Sequence, residues 1–330
     1  MRKRILKNME WGILICTVIL IIIGLVALFS ATQNSNYDEL KKQIVWIMVS
    51  IPILIAIIAI DYELLIKIAP ILYGIIILLL AGVLFTTPIN GATSWYNIGA
   101  VSFQPAELAK IVIILSLTYT IVKIQARGKK EINVIYKLAI ILGVAMVPVL
   151  LIIKQPDYGT AIAFIMALIF MLFVAGIDKK YIITTFAILV IALPLLYFFV
   201  LPDHAKSRIE VYLNPNLDPR GAGYNIIQSK LAIGAGKLFG MGWLNGTQTQ
   251  LGFLYPKTTD FIFPVIGEEA GFIACCLVVI IYVVLITKAI NVAKTTSDDL
   301  GSYIAMGIVR NTFIPRCRKY RNDNRIASYN

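Results

Sequence analysis

Long apolar runs separated by short polar segments dominate the chain. They cover residues 11–30, 45–60, 69–85, 108–122, 138–153, 160–175, 182–201 and 265–287. Each run is close to the ~20 residues with which an α-helix crosses ~30 Å of hydrocarbon, and the shorter runs borrow flanking residues. The pattern therefore predicts eight transmembrane helices and a weaker ninth that begins near Tyr303. The predicted fold class is an all-α, polytopic membrane helix bundle.

The composition agrees with this prediction. Of 330 residues, 59% are hydrophobic and 15% are charged, and the mean hydropathy is +0.82. A soluble domain of this size needs more charge on its water-facing surface. Four basic residues precede the first run, as they do in a signal peptide, but the run is long and lacks a small-residue cleavage site. We interpret it as a retained helix.

The distribution of charge predicts an orientation. The net charge is +12, and basic residues gather at the N-terminus, in segments 123–137 and 176–181, and after the eighth run. With the N-terminus in the cytoplasm, all of them lie on the cytoplasmic side, as the positive-inside rule expects. The segments that then face outward are 31–43, 86–107, 154–159 and 202–259.

Motifs for common cofactors are absent from the sequence. The four cysteines show no metal-ligand spacing, and the single histidine, His204, has no partner cluster. There is neither a GxxxxGK[ST] motif nor a GxGxxG motif after a strand. We expect no zinc, haem or nucleotide, and no nucleic-acid partner, because the basic charge follows the predicted membrane topology.

The longest outward segment, 202–259, has 58 residues. Loops of this length are usually functional or disordered, and its aromatic residues are not typical of disorder. The apolar spacing of 226–233 predicts one or two short amphipathic helices at the membrane surface. Five glycines between 234 and 246 predict a turn-rich stretch after them.

Polar residues also mark the starts of the fourth and sixth helices. Pro105 can occupy the first turn of the fourth helix, which places Glu107 and Lys110 one turn apart, where they can form an ion pair. Asp157 precedes the sixth helix as part of a turn, and structural capping alone would explain it. Trp95 suits the aromatic belt of a membrane interface.

Three carboxylates, Asp260, Glu268 and Glu269, lie in the stretch TTDFIFPVIGEEAGF at 258–272. Charged residues at membrane depth are costly and usually face a cavity or a partner. The glutamates follow Asp260 by eight and nine residues, or ~12 Å along a helix. We expect a polar cavity that opens outward, is lined by the fourth and eighth spans and is covered by 202–259. The alternative for Asp260 is a helix N-cap.

Several motifs together resemble the shape, elongation, division and sporulation (SEDS) family. They are NGATSWYNIGAVSFQPAELAK, QPDYGTA and GTQTQLGFLYPKTTDFIFPVIGEEAGF, in this order, and the resemblance runs from about Trp11 to Ile308. The family consists of bacterial peptidoglycan glycosyltransferases of the cytoplasmic membrane. The stretch GTQTQLGFLYPKTTDFIF is more similar to the rod-shape-determining (RodA-type) elongation branch than to the division (FtsW-type) branch.

The resemblance implies an activity and a set of partners. The family polymerises lipid II on the outer face of the membrane, typically with a class B penicillin-binding protein, and the RodA-type branch serves the elongation machinery. The essential aspartate of the family matches Asp260. The polar residues of its fourth-helix motif match Gln104, Glu107 and Lys110. We expect Gln248 and Lys237 to contact substrate as well, and Glu268, Glu269, Asp157 and Trp95 to be structural or to line the cavity.

Two roles for Asp260 stay open. Glycan extension is a displacement at an anomeric carbon, so a carboxylate near the acceptor hydroxyl is a credible general base. The pyrophosphate leaving group needs charge neutralisation, which Lys110 or a divalent cation such as Mg²⁺ or Mn²⁺ could supply. Asp260 could instead be a ligand of that cation.

Two other functions compete with catalysis. A lipid II transporter would also use an outward cavity, but it needs polar residues on the cytoplasmic halves of the spans, where Lys67 is the main one. A non-catalytic scaffold for a penicillin-binding protein is the third reading.

The C-terminus departs from the family pattern. Residues 309–330 are basic and polar, whereas the family continues with two more helices. Back-translated with suitable codons and read one base later, residues 318–330 give ENIGMTIGLLPIT, which resembles the family's ninth helix. We hypothesise a frameshift or sequencing error between about Val309 and Arg318. The expected organisation is a transmembrane domain at 1–308 followed by an aberrant tail at 309–330.

Overall fold

The computed structural model describes residues 9–86, 93–98, 101–200, 203–221, 223–254, 258–296 and 298–308. Seven helices precede the long segment: α1 (Trp11–Ala31), α2 (Asp38–Ala59), α3 (Tyr62–Gly82), α4 (Pro105–Gln125), α5 (Ile135–Lys154), α6 (Tyr158–Ala175) and α7 (Lys179–Leu195). Five more follow: α8 (Asp203–Leu213), α9 (Tyr224–Ala235), α10 (Thr247–Gln250), α11 (Ile262–Thr295) and α12 (Asp299–Ile308). The predicted all-α fold is confirmed.

The eight predicted spans fall on α1 to α7 and on α11. Six of these helices, α1, α2, α3, α5, α6 and α11, are long and apolar enough to cross a membrane. The helix α7 has 17 residues and continues into a π-helical turn, Leu196–Val200. The helix α4 has ten buried residues and lies within the bundle. The predicted ninth helix is the ten-residue α12, which packs against α4, α6 and α11. The tail 309–330 lies outside the described residues.

The main core joins α3, α4, α5 and α6 with the C-terminal part of α11 and with α12. Its largest fully buried side chains include Leu80, Leu117, Ile121, Ile141 and Met171. In contrast, no residue of α2 is buried, and apolar side chains such as Met48 and Ile55 are exposed. An apolar helix with such a surface is expected to face lipid.

Local sequence explains several helix boundaries. Pro105 is the first residue of α4, where its missing N–H costs nothing. The side chain of Asp61 accepts a hydrogen bond from the backbone N–H of Glu63 at the start of α3. The helix α6 ends at Gly176, whose positive φ of 85° favours glycine.

Two features differ from the sequence-based prediction. A short antiparallel hairpin, β1 (Tyr96–Ile98) and β2 (Val101–Phe103), precedes α4 and was not predicted. Within its described residues, the segment 202–259 contains three α-helices rather than one or two, and α9 packs against α11 instead of only resting on a membrane surface. A small apolar cluster, comprising Ala31, Ala232, Leu254 and Val265, fixes this packing.

Candidate functional site

Asp260 lies in the turn that precedes α11. The N-cap position of α11 is Phe261, and no side chain caps this helix, so the N-cap alternative for Asp260 is wrong. The Asp260 side chain is exposed. Within the described part of the chain, its carboxylate takes part in no hydrogen bond or ion pair. A carboxylate in this state can bind a proton, a cation or a sugar hydroxyl without first breaking an internal contact.

A cleft of about 480 Å³ lies between α1 and α11, and Thr258 and Ile262, two residues before and after Asp260, are among its lining residues. Its other lining residues are Thr17, Leu20, Ile21, Gly24, Leu25 and Leu28 of α1, Gln43 of α2, and Tyr282 and Leu285 of α11. No residue of α4 lines this cleft. The helices α1, α2 and α11 therefore form the walls of this cleft. It is not the expected cavity between the fourth and eighth spans, which stays a prediction.

Glu268 is fully buried and acts as an acceptor for the start of α10. Its carboxylate accepts hydrogen bonds from the backbone N–H groups of Gln248 (2.6 Å) and Thr249 (3.0 Å). The hydroxyls of Thr249 (2.7 Å) and Thr247 (3.3 Å) also donate to it. The N-terminal N–H groups of a helix lack partners within the helix, so a carboxylate there satisfies them. Glu268 thus fixes α10 against α11.

Glu269 connects three helices. It is 5% exposed, and its carboxylate accepts hydrogen bonds from the Ser30 hydroxyl of α1 (2.5 Å) and the Gln250 amide of α10 (3.3 Å). The Gln250 amide also donates to the Ser30 hydroxyl, at 2.9 Å. Glu269 lines a second, mostly apolar cleft of about 330 Å³ between α1 and α11, together with Trp243.

The helix α11 is interrupted at Gly271, whose φ and ψ are 81° and −177°. Around this break, the backbone bonds to the preceding glycine-rich segment. The N–H groups of Phe272 and Ile273 donate to the carbonyls of Lys237 and Leu238, at 2.9 and 3.3 Å. In return, Met241 and Gly242 donate to the carbonyls of Glu268 and Glu269, at 2.9 and 3.0 Å.

Close backbone approach explains the glycines at this junction. A Cβ atom on Gly271 would lie 2.3 Å from the backbone nitrogen of Gly240, and one on Gly240 would lie 2.0 Å from the Glu269 carbonyl oxygen. Non-helical backbone within a membrane protein requires such internal partners, because lipid offers no hydrogen bonds. The segment 236–246 therefore supports the break in α11.

The start of α4 forms a second polar group. Lys110 donates to Glu107 at 2.5 Å, which confirms the predicted ion pair. The Gln104 amide donates to Asp157 at 3.1 Å, and Asp157 also accepts the backbone N–H of Thr160, so the predicted capping of α6 is confirmed. In the described residues, no hydrogen bond or ion pair joins this group to Asp260.

A family model described as "Cell cycle protein" (FTSW_RODA_SPOVE) matches residues 10–316. The chain belongs to the FtsW/RodA/SpoVE family. It is 37% identical to the peptidoglycan glycosyltransferase MrdB of Escherichia coli (strain K12) over 247 residues, which cover 74% of this chain and 65% of MrdB.

Two further comparisons extend over more of the chain. The chain is 34% identical over 317 residues to the probable peptidoglycan glycosyltransferase FtsW of Geobacter metallireducens, with 92% of this chain and 82% of that protein covered. A chain of a solved peptidoglycan synthase complex matches with a TM-score of 0.77 over 92% of this chain and 83% of that chain. At 23% identity, this likeness shows the fold alone.

Three further residues were predicted to contact substrate or to line the cavity: Lys237, Gln248 and Trp95. The side chain of Lys237 is exposed, and its backbone has a positive φ of 47°. The backbone of Gln248 binds Glu268, while its side-chain oxygen is buried without a hydrogen-bond partner among the described residues. Trp95 lies just before β1 and is 37% exposed.

Sequence reasoning missed three polar residues at the junction of α1, α10 and α11: Ser30, Thr249 and Gln250. Ser30 is fully buried, although it ends an apolar run. A polar residue at such a position in a membrane helix usually has a partner. That signal could have shown that Ser30 forms a hydrogen bond. It could not have shown that the acceptor is Glu269, which lies 239 positions away in the sequence.

Proposed function

We propose that this FtsW/RodA/SpoVE family member is a peptidoglycan glycosyltransferase that polymerises lipid II for cell elongation. The cytoplasmic membrane is the proposed location, with the N-terminus in the cytoplasm and Asp260 on the outer face. The observation that carries the proposal is the exposed Asp260 carboxylate, which has no hydrogen bond or ion pair among the described residues and lies two residues from Thr258 and Ile262, which line a cleft. The names of MrdB and FtsW, both peptidoglycan glycosyltransferases, support the reaction class.

In the proposed reaction, Asp260 acts as the general base. It accepts the proton of the acceptor sugar hydroxyl while the oxygen of that hydroxyl attacks the anomeric carbon of the donor. The bond between this carbon and the pyrophosphate breaks, and the pyrophosphate leaves with the electron pair. One carboxylate is enough, because a pyrophosphate needs neutralising charge rather than a proton.

A divalent cation fits this site if it is bound by Asp260 and the substrate pyrophosphate together. Mg²⁺ commonly binds one or two carboxylates together with substrate phosphates and water. Among the described residues, no cluster of three or more acidic, histidine or cysteine side chains is placed to hold a metal ion. Asp260 would therefore hold Mg²⁺ or Mn²⁺ only jointly with the pyrophosphate, and the cation would neutralise the leaving group. Lys110, whose side chain is 20% exposed and paired with Glu107, is the other proposed source of positive charge.

The proposed partner is a class B penicillin-binding protein. The structural neighbour from a peptidoglycan synthase complex, in which polymerization and crosslinking are coordinated, supports a partner of this kind. In such a complex the glycan made at Asp260 would pass directly to the transpeptidase.

A reconstitution experiment tests the proposal. Two proteins are compared: the full chain, and the product of a gene whose reading frame is shifted by one base after the Ile308 codon. Each is placed in proteoliposomes with the penicillin-binding protein and labelled lipid II. We expect glycan ladders, and a loss of at least ~100-fold in rate for Asp260→Ala, as removal of a general base predicts.

The matched control is Asp38→Ala, which removes another exposed carboxylate, one that contacts only Lys41 among the described residues. It should leave the rate unchanged. Ladders that survive Asp260→Ala would contradict the catalytic assignment. Lipid II that crosses the bilayer without forming ladders would show a transporter instead.

A further inference from the structure

The second cleft, which Glu269 and Trp243 line, combines one carboxylate with apolar walls; we refer to it as the Glu269 cleft. Its volume of about 330 Å³ lies at the lower end of the ~300–1,000 Å³ that ligand sites have. Among the described residues that line it, only Glu269 has a charged side chain, and its walls include Ile22, Val26 and Ala27 of α1 and Leu277 of α11. A ligand that suits this cleft has one polar group and an apolar remainder.

One oxygen of the Glu269 carboxylate is left for such a ligand. The Ser30 hydroxyl and the Gln250 amide both donate to Oε1, at 2.5 and 3.3 Å. No donor among the described residues reaches Oε2. Because Glu269 is only 5% exposed and lines the cleft, the cleft is where a ligand can reach this oxygen. A buried carboxylate oxygen without a donor is costly, and a cationic donor that enters the cleft would offset this cost.

Trp243 supplies a second recognition element. Its ring packs on the Phe29 ring with 5.4 Å between the centroids, which fixes the indole at one side of the cleft. Aromatic faces attract ammonium groups, and the attraction adds to that of a carboxylate. No Lys, Arg or His lines the cleft in the described part of the chain, so no side chain of its walls neutralises Glu269. The polar group that the cleft favours is therefore an ammonium.

The position of the cleft along α1 suits a lipid. Glu269 bonds Ser30, the residue before the last one of α1, whereas Ile22 lies eight residues, or ~12 Å, farther into the helix. In the proposed orientation, the Glu269 end is near the outer surface of the membrane and the Ile22 end is in the hydrocarbon. Ile22 and Val26 are exposed, so the cleft opens toward the bilayer.

A transmembrane helix is too large to enter the cleft. A helix is at least ~10 Å wide with its side chains, so a ~12 Å length of it fills ~900 Å³. The cleft has a volume of about 330 Å³. A single acyl chain is the kind of apolar group that fits.

We propose that the Glu269 cleft binds a membrane phospholipid whose headgroup carries a primary ammonium. The ammonium donates a hydrogen bond to Glu269 Oε2 and lies against Trp243, and one acyl chain runs past Val26 and Leu277 toward Ile22. The lipid joins α1 to α11 where Ser30 and α10 already meet Glu269, and its binding stabilises this junction by mass action. The site is separate from Asp260, and its ligand is not the proposed sugar substrate.

Native mass spectrometry of the delipidated full chain in detergent tests the site without lipid II, so its result is independent of the proposed reaction. Three phospholipids with the same acyl chains are titrated: phosphatidylethanolamine, phosphatidylcholine, whose ammonium has no N–H, and the anionic phosphatidylglycerol. We expect phosphatidylethanolamine to bind at least about tenfold more tightly than the other two, as one hydrogen bond to a charged group predicts. Equal affinities, or tighter binding of either other lipid, would overturn the proposal.

Glu269→Gln tests the position of the ammonium. The glutamine oxygen can still accept from Ser30 and Gln250, but an NH₂ donor replaces the free carboxylate oxygen. The preference for phosphatidylethanolamine over phosphatidylcholine should disappear. The matched control is Glu39→Gln, the same change at an exposed acid in the first turn of α2 that does not line the cleft, and it should keep the preference. A preference that survives Glu269→Gln would show that the ammonium binds elsewhere.

Val26→Trp tests the position of the acyl chain. The larger side chain fills the cleft and should weaken binding of phosphatidylethanolamine by about tenfold, as exclusion of about two methylene groups predicts. Val18→Trp is the control, because Val18 lies on the same helix with similar exposure (46% against 49%) and does not line the cleft. Equal binding by the two variants would contradict the proposal.

The unmodified backbone provides a final check if these variants do not fold. A photoreactive amino acid at position 26 should capture phosphatidylethanolamine in nanodiscs that also contain the penicillin-binding protein. Capture of that protein instead would show that its membrane helix covers the cleft, and would overturn the proposal. The melting temperature of the unmodified chain should rise more with phosphatidylethanolamine than with phosphatidylcholine.

Discussion

Three carboxylates within ten residues of each other occupy opposite environments. Asp260 is exposed in a turn and has no partner among the described residues, whereas Glu268 is fully buried and Glu269 is 5% exposed. The two glutamates together accept hydrogen bonds from Ser30 and from α10. Of these three neighbouring acids, Asp260 is therefore available to react with a substrate, whereas Glu268 and Glu269 form structural hydrogen bonds.

This difference shows what each group contributes. A buried carboxylate with four donors is already satisfied, and any substrate proton would have to displace one of them. Its value lies in holding α10 against α11. An exposed carboxylate contributes little to stability, so its presence next to a cleft needs a chemical explanation. We therefore expect stability and activity to respond to different residues.

The largest effect on stability is expected for Glu268→Ala. This change leaves two backbone N–H groups and two threonine hydroxyls without their acceptor in a buried site, which should cost ~3 kcal/mol or more. Denaturant unfolding in detergent micelles measures this loss. Asp38→Ala, at an exposed acid, is the control and should change little. An unchanged unfolding midpoint for Glu268→Ala would contradict the structural role.

Gly271→Ala should have the next largest effect. It places a Cβ atom 2.3 Å from the backbone nitrogen of Gly240 and imposes a positive φ on alanine, at a cost of at least ~1–3 kcal/mol. The matched control is Gly143→Ala in α5, where a Cβ atom has room, and the change should stabilise by ~0.4–1 kcal/mol. Similar melting temperatures for the two variants would show that the break in α11 is not constrained.

Ser30→Ala should have the smallest of these effects. It removes the 2.5 Å hydrogen bond to Glu269, but the Gln250 amide still donates to that carboxylate, so the cost should be ~1 kcal/mol. Ser50→Ala serves as control, because that hydroxyl bonds only the Trp46 carbonyl of its own helix among the described residues. If Ser30→Ala instead abolished turnover at full stability, Glu269 would belong to the chemistry and the division between the carboxylates would be wrong.

Hydropathy predicted most of the fold, because apolar runs of membrane length leave few alternatives to helices. The capping of α6 by Asp157 and the Glu107–Lys110 pair were predictable for a related reason, since both depend on residues three positions apart. The break at Gly271 was not predicted. Its cause is the approach of the segment 237–242 about 30 residues earlier in the chain, which no local pattern records.

The candidate site was predictable in part. The resemblance gave Asp260, but the depth estimate placed it on the same helix as the glutamates, whereas it lies in the turn before Ile262. The helix α1 was predicted only as a span, yet it supplies Ser30 and one wall of the cleft. These contacts join residues more than 200 positions apart, and periodicity within a helix indicates a buried face without naming its partner.

The most direct test compares two isosteric changes, Asp260→Asn and Glu268→Gln, with two readouts each. For Asp260→Asn we expect turnover of lipid II to fall by at least ~100-fold and the melting temperature to stay unchanged. For Glu268→Gln we expect a lower melting temperature, because the amide NH₂ group is a donor and would face N–H and O–H groups that now donate to the carboxylate. Turnover per folded molecule should stay near normal. Full turnover by Asp260→Asn, or a loss of turnover in Glu268→Gln that exceeds its loss of folded protein, would contradict the assignment of chemistry to Asp260.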